Sequence, residues 1–289
     1  MKATKEERKK ATKEEWKKAT KEERKKATKE ERKKATKEIK FKEEYLKLQS
    51  SGMSTINERV LSIDKEVMTE ALHHKGYTMI KSFLSLQECI ELRETFDEPN
   101  AFRKTIVMER YRFGKGVYKY YRYPHNNIIN GIRQELYPLL VPAANQWMNQ
   151  LSMDTQFPAT WPELHKLCSD NDQTLPTVLI LQYGEGGYNT LHQDLYGKIF
   201  FPFQLVICLS EPGKDFTGGE FVITEQVPRA QSKAKVLNPG LGDMIIFTTN
   251  FRPVKGSRGY YKANMKHGVS EISTGTRSTL GIIFHDALT

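Results

Sequence analysis

His192-Gln193-Asp194 is followed far downstream by His267, and Arg277 comes ten residues after that. Two imidazoles and one carboxylate in this order are the donor set that holds Fe(II) on one face and leaves other positions open to reactants. In extended backbone, residues two apart project to the same side, so His192 and Asp194 face one way and Gln193 the other. His267 must then arrive from a distant strand. Arg277 offers a permanently charged fork that matches a carboxylate bidentately. Thr279 shares its strand face and adds a hydroxyl. Together these residues have the means to activate oxygen at iron beside a dicarboxylate co-substrate.

The elements around them suit that task. Residues 177–183 read as a buried strand, and the glycine-rich stretch 184–187 as a turn just before the first histidine. Residues 280–284 read as the last strand, with Arg277 near its start. Further strands are expected at 200–209, 219–224, 234–237 and 243–248. Many short strands in one block predict a sandwich or jelly roll. Residues 56–175 read as mainly helical. Ser85-Leu86-Gln87-Glu88 is a capping box opening a helix through Phe96. A second helix is expected over 128–151, kinked or broken by Pro138 and Pro142. Between them, 111–124 alternates aromatics and cations around glycines and predicts a hairpin. Its tyrosines are read as core residues and its cations as solvated; stacking of bases is the other reading.

The net charge of +10 is unevenly spread: residues 1–48 hold 20 Lys+Arg against 11 Asp+Glu, leaving the rest of the chain at +1. That N-terminal segment repeats Lys-Ala-Thr-Lys-Glu-Glu-Arg-Lys with a period of eight over residues 2–38. Its i,i+4 Lys–Glu pairs favour helix, but no apolar stripe results, so it reads as a solvated helical or disordered arm. The expected organisation is an arm at 1–52, a helical part at 53–176 and a β core at 177–289. Cys89, Cys168 and Cys208 are far apart and odd in number, which predicts buried thiols in a reducing, cytoplasmic compartment. No apolar run is long enough to cross a bilayer, and no secretory signal is visible.

The motifs Tyr188-Asn189, Leu191-His192-Gln193-Asp194-Leu195-Tyr196-Gly197, Thr217-Gly218-Gly219-Glu220-Phe221, Arg252-Pro253-Val254, His267-Gly268-Val269-Ser270 and Phe284-His285-Asp286-Ala287 carry a resemblance. Residues 56–287 resemble 2-oxoglutarate- and Fe(II)-dependent dioxygenases, most closely a bacterial oxygenase family described as acting oxidatively on methylated, damaged DNA. The resemblance implies an α+β fold: a double-stranded β-helix (cupin-like jelly roll) with packing helices outside. It implies His192, Asp194 and His267 as catalytic iron ligands, Arg277 as the 2-oxoglutarate anchor and O2 as the other co-substrate. Tyr183 falls where AlkB-type repair enzymes place a tyrosine on the co-substrate. Two positions depart from those enzymes: their second arginine is Ile283 here, and their asparagine before the tyrosine is Leu181. A protein or peptide prolyl hydroxylase therefore stands as the alternative, and a non-catalytic jelly-roll binding module as a further one. Residues 245–270 contain no acid, while Arg252, Lys255 and Arg258 lie within them. These three are the candidate contacts for a nucleic-acid phosphate; a solvated basic loop is the competing reading. His73, His74, His125, His165 and the pair His285-Asp286 read as structural.

Overall fold

Three strands of the chain carry long apolar runs without polar alternation, which in a sheet means burial on both faces. They are β7 (Phe203–Cys208), β11 (Met244–Thr248) and β15 (Arg277–Ile283), buried at every position. The computed structural model describes residues 54–288; the charged arm at 1–52 lies outside the described residues. The remaining strands are β1 (Tyr77–Ile80), β2 (Phe102–Val107), β3 (Gly114–Lys115), β4 (Val117–Tyr121), β5 (Leu179–Tyr183), β6 (Tyr188–His192), β8 (Phe216–Gly218), β9 (Phe221–Gln226), β10 (Lys233–Leu237), β12 (Phe251–Gly256), β13 (Gly259–Val269) and β14 (Ile272–Gly275). A seven-stranded sheet runs β1-β11-β7-β15-β5-β4-β2, and a second runs β10-β9-β13-β6-β3 with β12 paired to β13. All named strand pairs are antiparallel. This is the α+β jelly roll that the strand pattern predicts.

The two faces of the large sheet bury different things. Ile180, Phe203, Leu205, Ile207, Ile246, Leu280 and Ile282 join the main core with helix residues such as Leu136, Leu140 and Trp147. On the other face, Tyr183, Val206, Cys208 and Phe247 pack with Phe221, Ile223, Met265 and Val269 of the second sheet. The cavity described below opens within that second interior. No helix among the described residues is long and apolar enough to cross a membrane.

The N-terminal part is mainly helical, though not wholly so. Among the described residues it holds five α-helices, α1 (Ile56–Leu61), α2 (Lys65–Lys75), α3 (Leu86–Glu94), α4 (Asn127–Gln150) and α5 (Trp161–Ser169), and three short 3-10 turns. It also contributes β1, β2 and β4 to the large sheet and β3 to the other. The capping box at Ser85 and Glu88 forms at the start of α3. The expected break in α4 does not occur: Pro138 and Pro142 lie inside one helix. Both prolines are exposed, so the carbonyls of Gln134 and Pro138, which lose their intrahelical donors, are on the solvated side where water can bond them. An internal proline costs roughly 3 kcal/mol, and α4 buries Ile132, Leu136, Leu140 and Trp147 completely, each contributing about 1.5–3 kcal/mol. Packing therefore outweighs the local penalty.

Candidate active site

β6 delivers His192 at its last residue, and Asp194 follows just beyond the strand end. His267 is the Cα partner of His192 across β13. One ligand atom from each of the three lies within 4.8 Å of the others. Asp194 Oδ2 is 3.2 Å from His267 Nε2, and Asp194 Oδ1 is 3.7 Å from His192 Nε2. The group has the composition and mutual spacing to hold one metal ion.

Neighbours set how each ligand is presented. His192 Nδ1 donates to the Thr190 carbonyl at 2.7 Å, which turns Nε2 toward the cluster. Gln193 Nε2 donates to the carbonyls of Asn250 and Met265, both at 2.8 Å, and so ties the segment between the ligands to β13. Tyr196 donates to Asp194 Oδ1 at 2.7 Å, and Tyr120 donates to Tyr196 at 3.2 Å. Burial pushes the Asp194 carboxyl up, but His192, His267 and the Tyr196 hydroxyl together hold it well below the usual carboxylate range. Burial and the neighbouring His192 lower His267, keeping its ring neutral and its lone pair available.

A bulge and a glycine bring the two histidines together. The β6–β13 register shifts between His267 and Val269, and bulges of this kind re-aim side chains beside active sites. A Cβ on Gly268 would sit 2.6 Å from the Asn189 carbonyl oxygen. Any side chain there drives the two strands apart.

A cavity of about 220 Å3 extends from this cluster to Arg277. Arg277 is 1% exposed, and its Nε, Nη1 and Nη2 all lack a hydrogen-bond partner. Its guanidinium lies 5.9 Å from the ring centres of both Tyr183 and Phe216. Tyr183 is its Cα partner on β5 and accepts from Asn189 Nδ2 at 3.2 Å. Burial raises the Tyr183 phenol to about 12, so it remains a donor. Thr279 lines the same cavity. A buried, unanswered guanidinium beside a protonated phenol fits the carboxylate of a diacid, as 2-oxoglutarate supplies.

The three basic residues named at 245–270 lie in different settings. Arg252 is held in a bidentate pair with Glu225 at 2.9 and 3.0 Å, and its third nitrogen donates to the His73 carbonyl. That guanidinium is committed within the protein. Lys255 and Arg258 are exposed near the tip of the β12–β13 hairpin. At about 3.3 Å per residue, that tip is roughly 25 Å along β13 from His267.

Two other features escaped the sequence reading. Gln204, 2% exposed, faces the cavity with Nε2 unbonded; a lone polar residue in the apolar strand Phe203–Cys208 was the available signal. At the mouth, Tyr111 and Phe113 stack at 5.5 Å between centroids and are 53% and 44% exposed. Phe113 lines the cavity, and Arg110 and Arg112, which alternate with the two aromatics in sequence, are exposed. Among the described residues neither arginine forms a salt bridge. Tyr118 and Tyr120, from the predicted hairpin, line the cavity wall, while Lys119 lies over the Phe96 ring at 4.1 Å. His285 and Asp286 are structural: His285 Nδ1 accepts from the Phe201 amide and Asp286 pairs with Arg133.

A family described as an oxygenase catalysing oxidative methylation of damaged DNA matches residues 116–287, more than half of the chain. Uncharacterized proteins from two strains of Mycobacterium tuberculosis are 43% identical over 164 residues, covering 57% of this chain and 70% of theirs. A prolyl hydroxylase from Trichoplax adhaerens, solved with a hypoxia inducible factor oxygen degradation domain peptide, aligns with a TM-score of 0.50 at 13% identity, over 79% of this chain and 91% of that one. That likeness is one of fold. A prolyl-4-hydroxylase from Pseudomonas putida gives 0.46 at 13% identity, over 75% and 96%. The chain belongs to this oxygenase family.

Proposed function

We propose that this enzyme oxidises a methyl group on a base of single-stranded nucleic acid, with His192, Asp194 and His267 as iron ligands and Arg277, Tyr183 and Thr279 holding 2-oxoglutarate. Iron and 2-oxoglutarate supply the oxidation: one oxygen atom of O2 ends in succinate after loss of carbon dioxide, the other in a substrate C–H bond. On an N-methyl group the resulting alcohol collapses to formaldehyde and a free N–H.

The protein's own contribution is placement. Thr190 fixes the His192 tautomer, and Tyr196 occupies one Asp194 oxygen so that the other is turned to the metal. Arg277 offers a full positive charge in a dry setting, where it acts on a carboxylate far more strongly than in water. The aromatic walls from Tyr118, Tyr120 and Phe113 exclude solvent and suit a flat ring.

The single observation that carries the substrate class is the exposed, stacked Tyr111–Phe113 pair at the cavity mouth, with the exposed Arg110 and Arg112 in the same short segment. Base stacking on aromatics beside phosphate-binding cations is how single strands are gripped without sequence readout. Incubation of the full-length protein with Fe(II), 2-oxoglutarate and N-methylated single-stranded oligonucleotides should release formaldehyde and shorten the oligonucleotide mass by one methylene. Proline peptides run in parallel should be unchanged. Hydroxylated peptide with untouched oligonucleotide would overturn the reading.

A further inference from the structure

Gln204 is the one polar residue of β7, and nothing in the protein answers its Nε2. A buried amide that bonds nothing disfavours the fold. Its partner must come from inside the cavity that it lines.

Register locates it. Arg277, Thr279, Gly281 and Ile283 of β15 follow one another along the cavity, and Ile283 is the Cα partner of Gln204. The rung of Gln204 is thus roughly 20 Å along the strand from Arg277, at about 3.3 Å per residue. Both side chains are long enough to lean toward each other along the cavity, and Gly281 places no side chain beside the Gln204 rung. On its other edge, Gln204 pairs with Phe247 of β11, whose ring centre is 4.7 Å from that of His267. Gln204 therefore marks the metal end of the cavity and Arg277 the opposite end.

A five-carbon keto diacid held by its far carboxylate on Arg277 carries its second carboxylate to the metal end. We infer that Gln204 Nε2 donates to that second carboxylate and fixes the co-substrate at both ends. The inference rests on the roles proposed above for Arg277 and the three ligands. The donor suits the acceptor, because an N–H to a carboxylate is a charge-assisted bond. Depth favours this ligand over the substrate: the His192 side chain is 33% exposed and Phe113 44%, whereas Gln204 is sealed at 2%.

The test is anaerobic titration of 2-oxoglutarate into the full-length Fe(II) protein, followed by calorimetry and by the charge-transfer absorption of the chelated keto acid, with melting temperatures of each variant. Q204M keeps the shape and removes the amide. Its 2-oxoglutarate affinity should fall about tenfold, the worth of one such bond. Its melting temperature without co-substrate should hold or rise, since an unanswered polar group has been removed. Unchanged affinity overturns the inference, and a raised Michaelis constant for the oligonucleotide alone reassigns the amide to the substrate. Should Q204M fold poorly, Q204E carries the test. It is isosteric and places like charges together, so affinity should fall further and recover as pH drops; unchanged affinity there also overturns the inference. R277L runs alongside: retained affinity in R277L defeats the site assignment itself, whereas failure of the glutamine variants alone leaves that assignment standing.

Discussion

Arg133 and Arg277 are both buried, at 0% and 1% exposure, and they live in opposite circumstances. Arg133 projects from α4 onto the C-terminal segment. Its Nη2 donates to the Phe284 carbonyl at 3.1 Å and Asp286 Oδ1 at 3.3 Å, and its Nη1 donates to the Tyr123 hydroxyl at 3.0 Å. Its guanidinium also lies 4.2 Å from the Trp161 ring centre. Arg277 has ring faces near it and no hydrogen-bond acceptor. Desolvating a charge costs several kcal/mol unless partners offset it. A buried charge that the protein satisfies is architecture. One that it leaves open is a receptor for something from outside.

The comparison breaks first at Arg277. R277L should weaken 2-oxoglutarate binding by about 100-fold or more, since two bonds to a charged group are worth roughly 1.5–3 kcal/mol each. Its melting temperature should not fall. R277K keeps the charge but loses the fork and should fall between. A destabilised R277L with intact 2-oxoglutarate affinity would make Arg277 the structural residue.

R133M tests the other side. It strands Asp286 without its buried partner and should cost about 3–5 kcal/mol in urea unfolding. Affinity for 2-oxoglutarate, measured on the folded fraction, should be unchanged.

The same buried network predicts an acid response. Burial, and then the Arg133 charge, lowers His125 to about 4; burial lowers His285 to about 4. In the unfolded chain both take up a proton near 6.5. Between those values the unfolded state binds more protons, so stability falls as pH falls and these two histidines add no further loss below about 4. Each contributes on the order of 3 kcal/mol across the window. Burial pushes Asp286 up, but His165, Arg133 and Tyr123 hold it below the ordinary value, so its contribution is lost at still lower pH. Urea midpoints between pH 7 and 4 check the slope, which H285N should make shallower. A flat profile would show that these rings are solvated.

G268A should weaken iron binding by about 10–100-fold, the range seen when a ligand's support is disturbed, while leaving secondary structure unchanged by circular dichroism. The smallest effect belongs to the rim. R110A/R112A should reduce the salt dependence of oligonucleotide binding by up to about two in the log–log slope, and an unchanged slope would remove the rim from the substrate path.

The ligand set was readable because its residue types and spacing are themselves the chemistry. The core strands were readable because burial on two faces leaves no polar alternation. What stayed hidden depends on pairing across the chain. Nothing near Arg252 in sequence announces Glu225 as its partner, and nothing near Tyr77–Ile80 shows that this segment docks on β11. The unbroken passage of α4 through two prolines is likewise decided by which side of the helix meets water. Gln204 gained meaning only when β7 was set between β11 and β15.

β13 begins at a surface hairpin and carries the proposed iron ligand His267 two residues before its end. Its second half is clamped between β9 and β6, and its first half pairs with β12 at the hairpin. Side chains alternate with every step along a strand, so one residue inserted between Met265 and His267 would turn the ligand outward. The same insertion at Ser257 or Arg258 would merely lengthen the tip. Descendants of this fold therefore have a place where length is free and another, a few residues on, where it is fixed. Surface novelty can accumulate at the tip without disturbing the oxidation.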